Sequence, residues 1–223
     1  MIGSDNVFPK VILSELNPDG TDTATPAADT QQLFLGTDDQ LYLKDEADVV
    51  TAVGGGGGGD TMQTLVWSPL DNEPPAAAFA TADSRNARPV LDFDGSTDEE
   101  AVFSGVMPLN YPAAGIAVST WWAFTAATTG TLRVQAAIER SDNGGLDIDA
   151  DSFAAFQSSS GSAPATNGQL VQVVITFSNG AQMDSLGAAE VFRLKIRRDA
   201  DATSGPDDIT TDAELVMVAL DAQ

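Results

Sequence analysis

The sequence predicts an all-β protein, an antiparallel β-sandwich of jelly-roll type preceded by an extended N-terminal arm with a small hairpin. Three observations carry that reading. After position 60 the apolar residues recur with a period of two, turn residues separate the runs at intervals of about ten to twenty positions, and no long stretch shows helical periodicity. The irregular spacing suits a jelly roll better than an up-and-down barrel.

Residues 14–32, SELNPDGTDTATPAADTQQ, contain Pro18, Gly20 and Pro26 but no apolar periodicity, and read as an arm, or as a stretch that becomes ordered only on a partner. In LFLGTDDQLYLKD, Leu33 and Leu35, then Leu41 and Leu43, flank GTDDQ and suggest a hairpin. Two strands alone are marginal in water, so this hairpin is expected to dock on something else. Six glycines follow, Gly54, Gly55, Gly56, Gly57, Gly58 and Gly59. No Gly-Lys-Ser/Thr comes after them, as a phosphate loop requires; their backbone freedom favours a hinge, the alternative being close packing around a threefold axis where only glycine fits. The expected organisation is an attachment arm at 1–53, a linker at 54–60 and a sandwich at 61–223.

In the sandwich, GIAVSTWWAFT places Ile116, Val118, Trp122 and Phe124 on one face, and TLRVQAAIER does the same with Leu132, Val134, Ala136 and Ile138. LVQVVITFS aligns Val171, Val173, Ile175 and Phe177; EVFRLKIRR sets Phe192, Leu194 and Ile196 against Arg193, Lys195 and Arg197. AELVMVAL is apolar on both faces, which belongs at the centre of a sheet or beneath a neighbouring chain. TLVWS, AAAFA, PVLDF, EAVFSGV and SFAAF are shorter candidates, the last short enough for a helical turn. The expected total is about eight strands.

Composition narrows the function. Thirty-three acidic and ten basic residues give a formal charge of -23, which disfavours nucleic acid and anionic membranes as partners. No stretch approaches the roughly 18 apolar residues of a membrane span, and MIGSDNVFPK lacks the pattern of a signal peptide, so a soluble protein without a secretion signal is expected. The absence of cysteine and histidine removes the thiolate nucleophile, the Cys-type zinc site and the commonest general base. Paired carboxylates are what glycosidases use, but nothing singles out one pair. Neither enzymatic activity nor a cofactor is expected.

Several residues stand out as contacts. Asp147, Asp149 and Asp151 alternate in SDNGGLDIDADSF as calcium-ligating oxygens do, yet an EF-hand count puts Ser152 and Ser158 where the turn glycine and bidentate glutamate belong. A solvated acidic loop is the simpler reading, and likewise for FDGSTDEE with Asp94, Asp98, Glu99 and Glu100. Trp121 lies on the face opposite Trp122 and must be covered by a loop, meet another subunit or stack on a sugar. Arg193, Lys195 and Arg197 concentrate basic charge on one strand face, either pairing across the sheet or meeting a second subunit.

LFLGTDDQLYLKDEADVVTAV resembles short N-terminal segments of phage virion proteins at Leu33, Leu35, Gly36, Asp38, Leu41, Leu43, Lys44 and Asp45. VLDFDGSTDEEAVFSGVMPLNYPAAGIAVSTWWAFTAATTGTLRVQAAIER is similar to a β-sandwich module of tailed-phage structural proteins. The resemblance implies a homotrimer in the virion, assembled in the host cytoplasm. It would serve as a capsid decoration or cement protein, or a short head fibre, and stabilise the particle. Docking on the major capsid protein or another virion protein would use Phe8, Val11, Ile12, Leu13, Leu33, Leu35, Leu41 and Leu43 as apolar anchors. The alternative is a tail-fibre or receptor-binding module in which Trp121 or Tyr111 meets host glycan.

Overall fold

The protein's computed structural model describes residues 15–16, 32–36, 41–45, 47, 49–52, 62–141 and 150–223. It divides into two compact units, Met1–Asp60 and Thr61–Gln223. In the first unit, β1 (Glu15–Leu16), β2 (Gln32–Gly36), β3 (Leu41–Lys44) and β4 (Val50–Ala52) lie side by side in that order. β2 and β3 pair antiparallel with Leu33 opposite Leu43 and Leu35 opposite Leu41. β1 joins in parallel and β4 antiparallel, so the expected hairpin is the middle of a four-stranded sheet. Asp45 shapes the turn before β4 by accepting the N–H groups of Ala47 and Val49, both at 2.9 Å. Phe8, Val11, Ile12, Leu13 and the glycines Gly54 to Gly59 lie outside the described residues.

The second unit is an antiparallel sandwich. Its strands are β5 (Leu65–Trp67), β6 (Thr81–Arg85), β7 (Arg88–Phe93), β8 (Glu99–Val106), β9 (Ile116–Phe124), β10 (Thr131–Ser141), β11 (Gln157–Ser162), β12 (Val171–Phe177), β13 (Val191–Arg198) and β14 (Ala213–Ala222). The smaller sheet runs β11-β10-β13-β8, and the larger runs β12-β9-β14-β7-β6 with β5 added beside β14. That makes ten strands where periodicity suggests about eight. SFAAF is not a strand; the following QSSSGS is β11, a serine-rich edge that pairs with β10 and carries no apolar alternation. AAAFA contributes only a bridge from Phe79 to Glu100, and the adjacent strand is the polar TADSR.

Alternation sends the expected residues inward. Leu132, Val134 and Ile138 of β10 and Phe192, Leu194 and Ile196 of β13 meet a core that includes Ile116, Val118, Trp122 and Phe124 of β9. Phe93 meets Trp122 edge to face with ring centroids 5.0 Å apart. The indole N–H of Trp122 donates to Thr120 at 2.8 Å, so burying it leaves no orphan donor.

A charged pair, Arg198 and Asp207, shares this interior. Arg198 continues the inward row Phe192, Leu194, Ile196 and is fully buried. Its guanidinium donates to both oxygens of Asp207 at 3.0 and 3.1 Å, to the carbonyls of Thr211 at 2.8 Å and Phe93 at 3.3 Å, and to the Ile209 carbonyl. The smaller sheet is thereby tied to β7 and to the segment leading into β14. Arg198→Leu strands Asp207 as a buried, unpaired charge, and a loss of about 3–5 kcal/mol in unfolding free energy is expected by urea denaturation. A loss below about 1 kcal/mol would show that the pair contributes no more than a surface bridge.

Candidate functional site

The outer faces of the two sheets differ in character. On the smaller sheet the basic stripe is already partnered. Arg193 pairs with Glu139 and, at 2.8 Å, with Asp151; Lys195 lies 2.9 Å from Glu100 and 3.7 Å from Asp151; Arg197 donates to Gln135 at 2.7 Å and reaches Asp98 at 3.6 Å. Phe153 and Phe156 cover the stripe, with the cationic groups of Arg193, Lys195 and Arg197 at 5.0, 4.3 and 4.2 Å from the ring centroids. Of the two roles open to these three residues, pairing across the sheet is the one seen among the described residues.

The acidic loops are likewise engaged internally. Asp151 belongs to the stripe just described, whereas Asp147 and Asp149 fall outside the described residues. Asp94 accepts from the backbone and hydroxyl groups of Ser96 and Thr97, which hold its carboxyl down at about 2. Asp98, Asp199 and Asp201 bring carboxylate oxygens within 4.8 Å of one another. Asp199 accepts from Thr203 and Ser204; burial opposes its ionisation, but those donors outweigh it and lower the pKa. Asp98 accepts the N–H of Asp201 at 3.1 Å. This cluster is a loop fastening.

Tyr111 also departs from expectation. It is 6 % exposed, with its hydroxyl donating to the carbonyl of Ala114 and lying 3.5 Å from the Met183 sulfur. A ring packed this way is core and offers no contact surface.

The outer face of the larger sheet mixes polar and apolar side chains and carries an exposed apolar strip. Trp121, half-buried, stands on it between Met217 of β14 and Gln172 of β12. One row further along the strands come Ser119, Ala219, Val66 and Val174, with Val66 57 % and Val174 40 % exposed. A β-bulge between Leu215 and Met217 shapes this surface. Leu215 and Val218 both point inward, so the extra residue leaves Val216 and Met217 facing out together. That is why AELVMVAL is apolar on both faces: β14 is central, yet part of its outer side stays uncovered.

At the other end of the face is a cavity of about 350 Å³. Its floor is Val90, Ala123 and Val216. One wall is the tip of the β6–β7 hairpin, where Asn86 and Ala87 have φ of 50° and 61°, as a two-residue type I′ turn requires. Arg85 extends from that tip to pair with Glu214 and to donate to the Phe124 carbonyl at 2.8 Å and Asn167 at 3.3 Å. Gly168 and Leu170 form the opposite wall. Gly168 has a φ of +84°, and an added Cβ would lie 3.3 Å from the Arg85 guanidinium, so both backbone and space favour glycine there. Asn167 anchors this wall by donating to the Thr125 carbonyl at 2.9 Å.

Solved carbohydrate-binding modules are similar to this chain. They include the CBM22-1 xylan-binding domain from Paenibacillus barcinonensis Xyn10C, 11% identical with a TM-score of 0.42, over 73% of this chain and 96% of that one. The family 11 carbohydrate-binding module from Clostridium thermocellum, in complex with a β-1,3-1,4-mixed-linked tetrasaccharide, is 10% identical with a TM-score of 0.37, over 76% and 94%. The enzymatically active domain of tailspike protein 4 from bacteriophage CBA120 is 13% identical with a TM-score of 0.33, over 77% of this chain and 21% of that one. No protein-family model and no curated protein matches the sequence.

Asp92 shares the outer face through its pairing with Glu214 and Thr81. Its Oδ1 is buried without a hydrogen-bond partner among the described residues. Burial, then the charges of Glu214, Asp83 and Asp212, outweigh Arg85 and push its carboxyl up from 3.8 to about 6. The folded chain thus holds an extra proton between those values, and stability falls as pH rises through that window. Asp92→Asn is expected to be more stable than the parent at about pH 7.5, with the advantage gone by about pH 3.5. Equal denaturation midpoints at the higher pH would contradict the unfavourable burial of this carboxylate.

Proposed function

We propose that the second unit is a carbohydrate-binding module whose receptor surface is the outer face of the larger sheet. The observation that carries this reading is the open strip on which Trp121, Met217, Val66 and Val174 stand beside Gln172 and Ser119. Sugars present apolar C–H faces ringed by hydroxyls. An indole on a rigid sheet, beside the exposed Gln172 amide that donates to the buried Ser119 hydroxyl at 3.0 Å, complements both features. From Ala123 to Ser119 the strip runs about 13 Å along β9, the reach of a short oligosaccharide. The module binds in this reading and does not catalyse, and it uses no cofactor.

The test is a glycan array with the full chain, followed by calorimetry on the best ligand. Trp121→Ala is expected to weaken binding about tenfold or more, the order of one lost aromatic contact, without lowering the melting temperature by more than a few degrees. Unchanged affinity in that variant, or no glycan bound at all, would overturn the proposal.

A second reading keeps a place for the first unit. Its own four-stranded sheet and the division of the chain after Asp60 support a separate attachment device. The chain would then be a homotrimeric virion protein, attached through its N-terminal part to a capsid or other virion protein and presenting the glycan-binding unit outward. Removing residues 1–53 is expected to abolish association with particles and to leave glycan binding intact. Particle association by the shortened chain would contradict this role.

A further inference from the structure

Resting on the carbohydrate reading, a more specific assignment follows from the cations at the hairpin tip. Arg85 and Arg88 are directly opposite each other across the type I′ turn, on the outer face, and both line the 350 Å³ cavity. Like charges placed directly opposite on a sheet repel, and the arrangement persists where something neutralises them. Arg85 has that neutralisation in Glu214. Arg88 does not: its side chain is exposed and has no hydrogen-bond or ion-pair partner among the described residues. The contrast is sharp in a chain of charge -23 with ten basic residues. The other arginines and the lysine of this unit are engaged with carboxylates, carbonyls or hydroxyls of the chain.

The carboxylates on the same face, Asp83, Asp92 and Glu214, leave Arg88 unbonded, and Glu214 is taken by Arg85. A free guanidinium is a planar fork that matches a carboxylate or a sulfate oxygen pair. Here it stands over an apolar floor of Val90, Ala123 and Val216, a setting that fits the C–H face of a sugar ring bearing such a group. The turn itself fixes the fork's position. Ala87 holds a φ of 61°, a conformation that costs an alanine about 1–2 kcal/mol relative to its usual regions, so the tip is stiffly specified by its surroundings.

We propose that the cavity is an acidic-sugar subsite, in which Arg88 receives the carboxylate of a uronic acid or the sulfate of a sulfated sugar whose neighbouring residues lie on the Trp121 strip. The subsite gives the surface a preference for anionic over neutral glycans despite the acidity of the whole chain.

The experiment uses the full chain at about 0.15 M salt, where long-range repulsion is largely screened. Calorimetry compares oligogalacturonides, the same oligosaccharides as methyl esters, and neutral and sulfated galactan oligosaccharides. One charged form, uronate or sulfate, is expected to bind at least tenfold more tightly than its neutral counterpart, and which one does so identifies the acidic group. Arg88→Gln is expected to erase the difference while leaving affinity for the neutral sugar and the melting temperature unchanged. Arg88→Lys, which keeps the charge and loses the fork, is expected to retain only part of it. Equal binding of charged and neutral sugars, or a preference that survives in Arg88→Gln, would overturn this subsite and leave the carbohydrate reading standing. Absence of binding to every sugar, neutral and acidic alike, would overturn both.

Discussion

The second unit is organised around one buried guanidinium. Arg198 belongs to the smaller sheet by its place on β13, yet its donors are met by Asp207, by the carbonyls of Ile209 and Thr211 and by Phe93 of the larger sheet. A charge fully removed from water must be matched by hydrogen bonds on nearly every donor, and that requirement leaves the two layers little freedom to slide. Asp207 also accepts the backbone N–H of Arg133 at 3.1 Å, extending the network to β10. The segment 207–211 therefore reaches β14 in a fixed position.

That position matters because β14 supplies the middle of the outer face. Its first residues pair with β7 and its last with β5, and the bulge between Leu215 and Met217 falls where one neighbour gives way to the other. Val216 and Met217 consequently face outward beside Trp121, while Glu214 is left to hold Arg85 across the same surface. The orphaned Oδ1 of Asp92 is a cost carried on this face; among the described residues the hydroxyl of Thr211 is also buried without a partner.

Much of the sandwich is legible in the sequence because burial on one face imposes a period of two. β9, β10, β12 and β13 follow their alternation, and the same rule extended by one step places Arg198 on the inward row after Ile196. Its burial was thus readable, though its partners 9 to 13 residues on depend on the loop's path. β11 escaped because serines have no apolar pattern, and the ladder with β10 alone makes QSSSGS a strand. The hairpin tip carried a signal in Asn86 between two strand-like runs, but alanine in place of glycine after it disguised the I′ turn. Trp121 was readable as outward-facing by its adjacency to Trp122. Nothing local indicated that Tyr111 would be enclosed by a chain turn against Met183, or that Phe153 and Phe156 would roof the basic stripe, because those contacts join residues far apart in sequence.

In the proposed carbohydrate reading the glycan lies on the exposed strip of the larger sheet, rather than on the loops or the roofed face of the smaller one. The most direct measurement is a backbone amide NMR titration of the chain with an oligosaccharide that it binds. The shifted amides are expected to fall on β9, β12 and β14, and to extend to the β6–β7 hairpin tip with Arg88. Shifts confined to β10, β13 and the 150–156 segment, with the Trp121 indole signal unmoved, would contradict it.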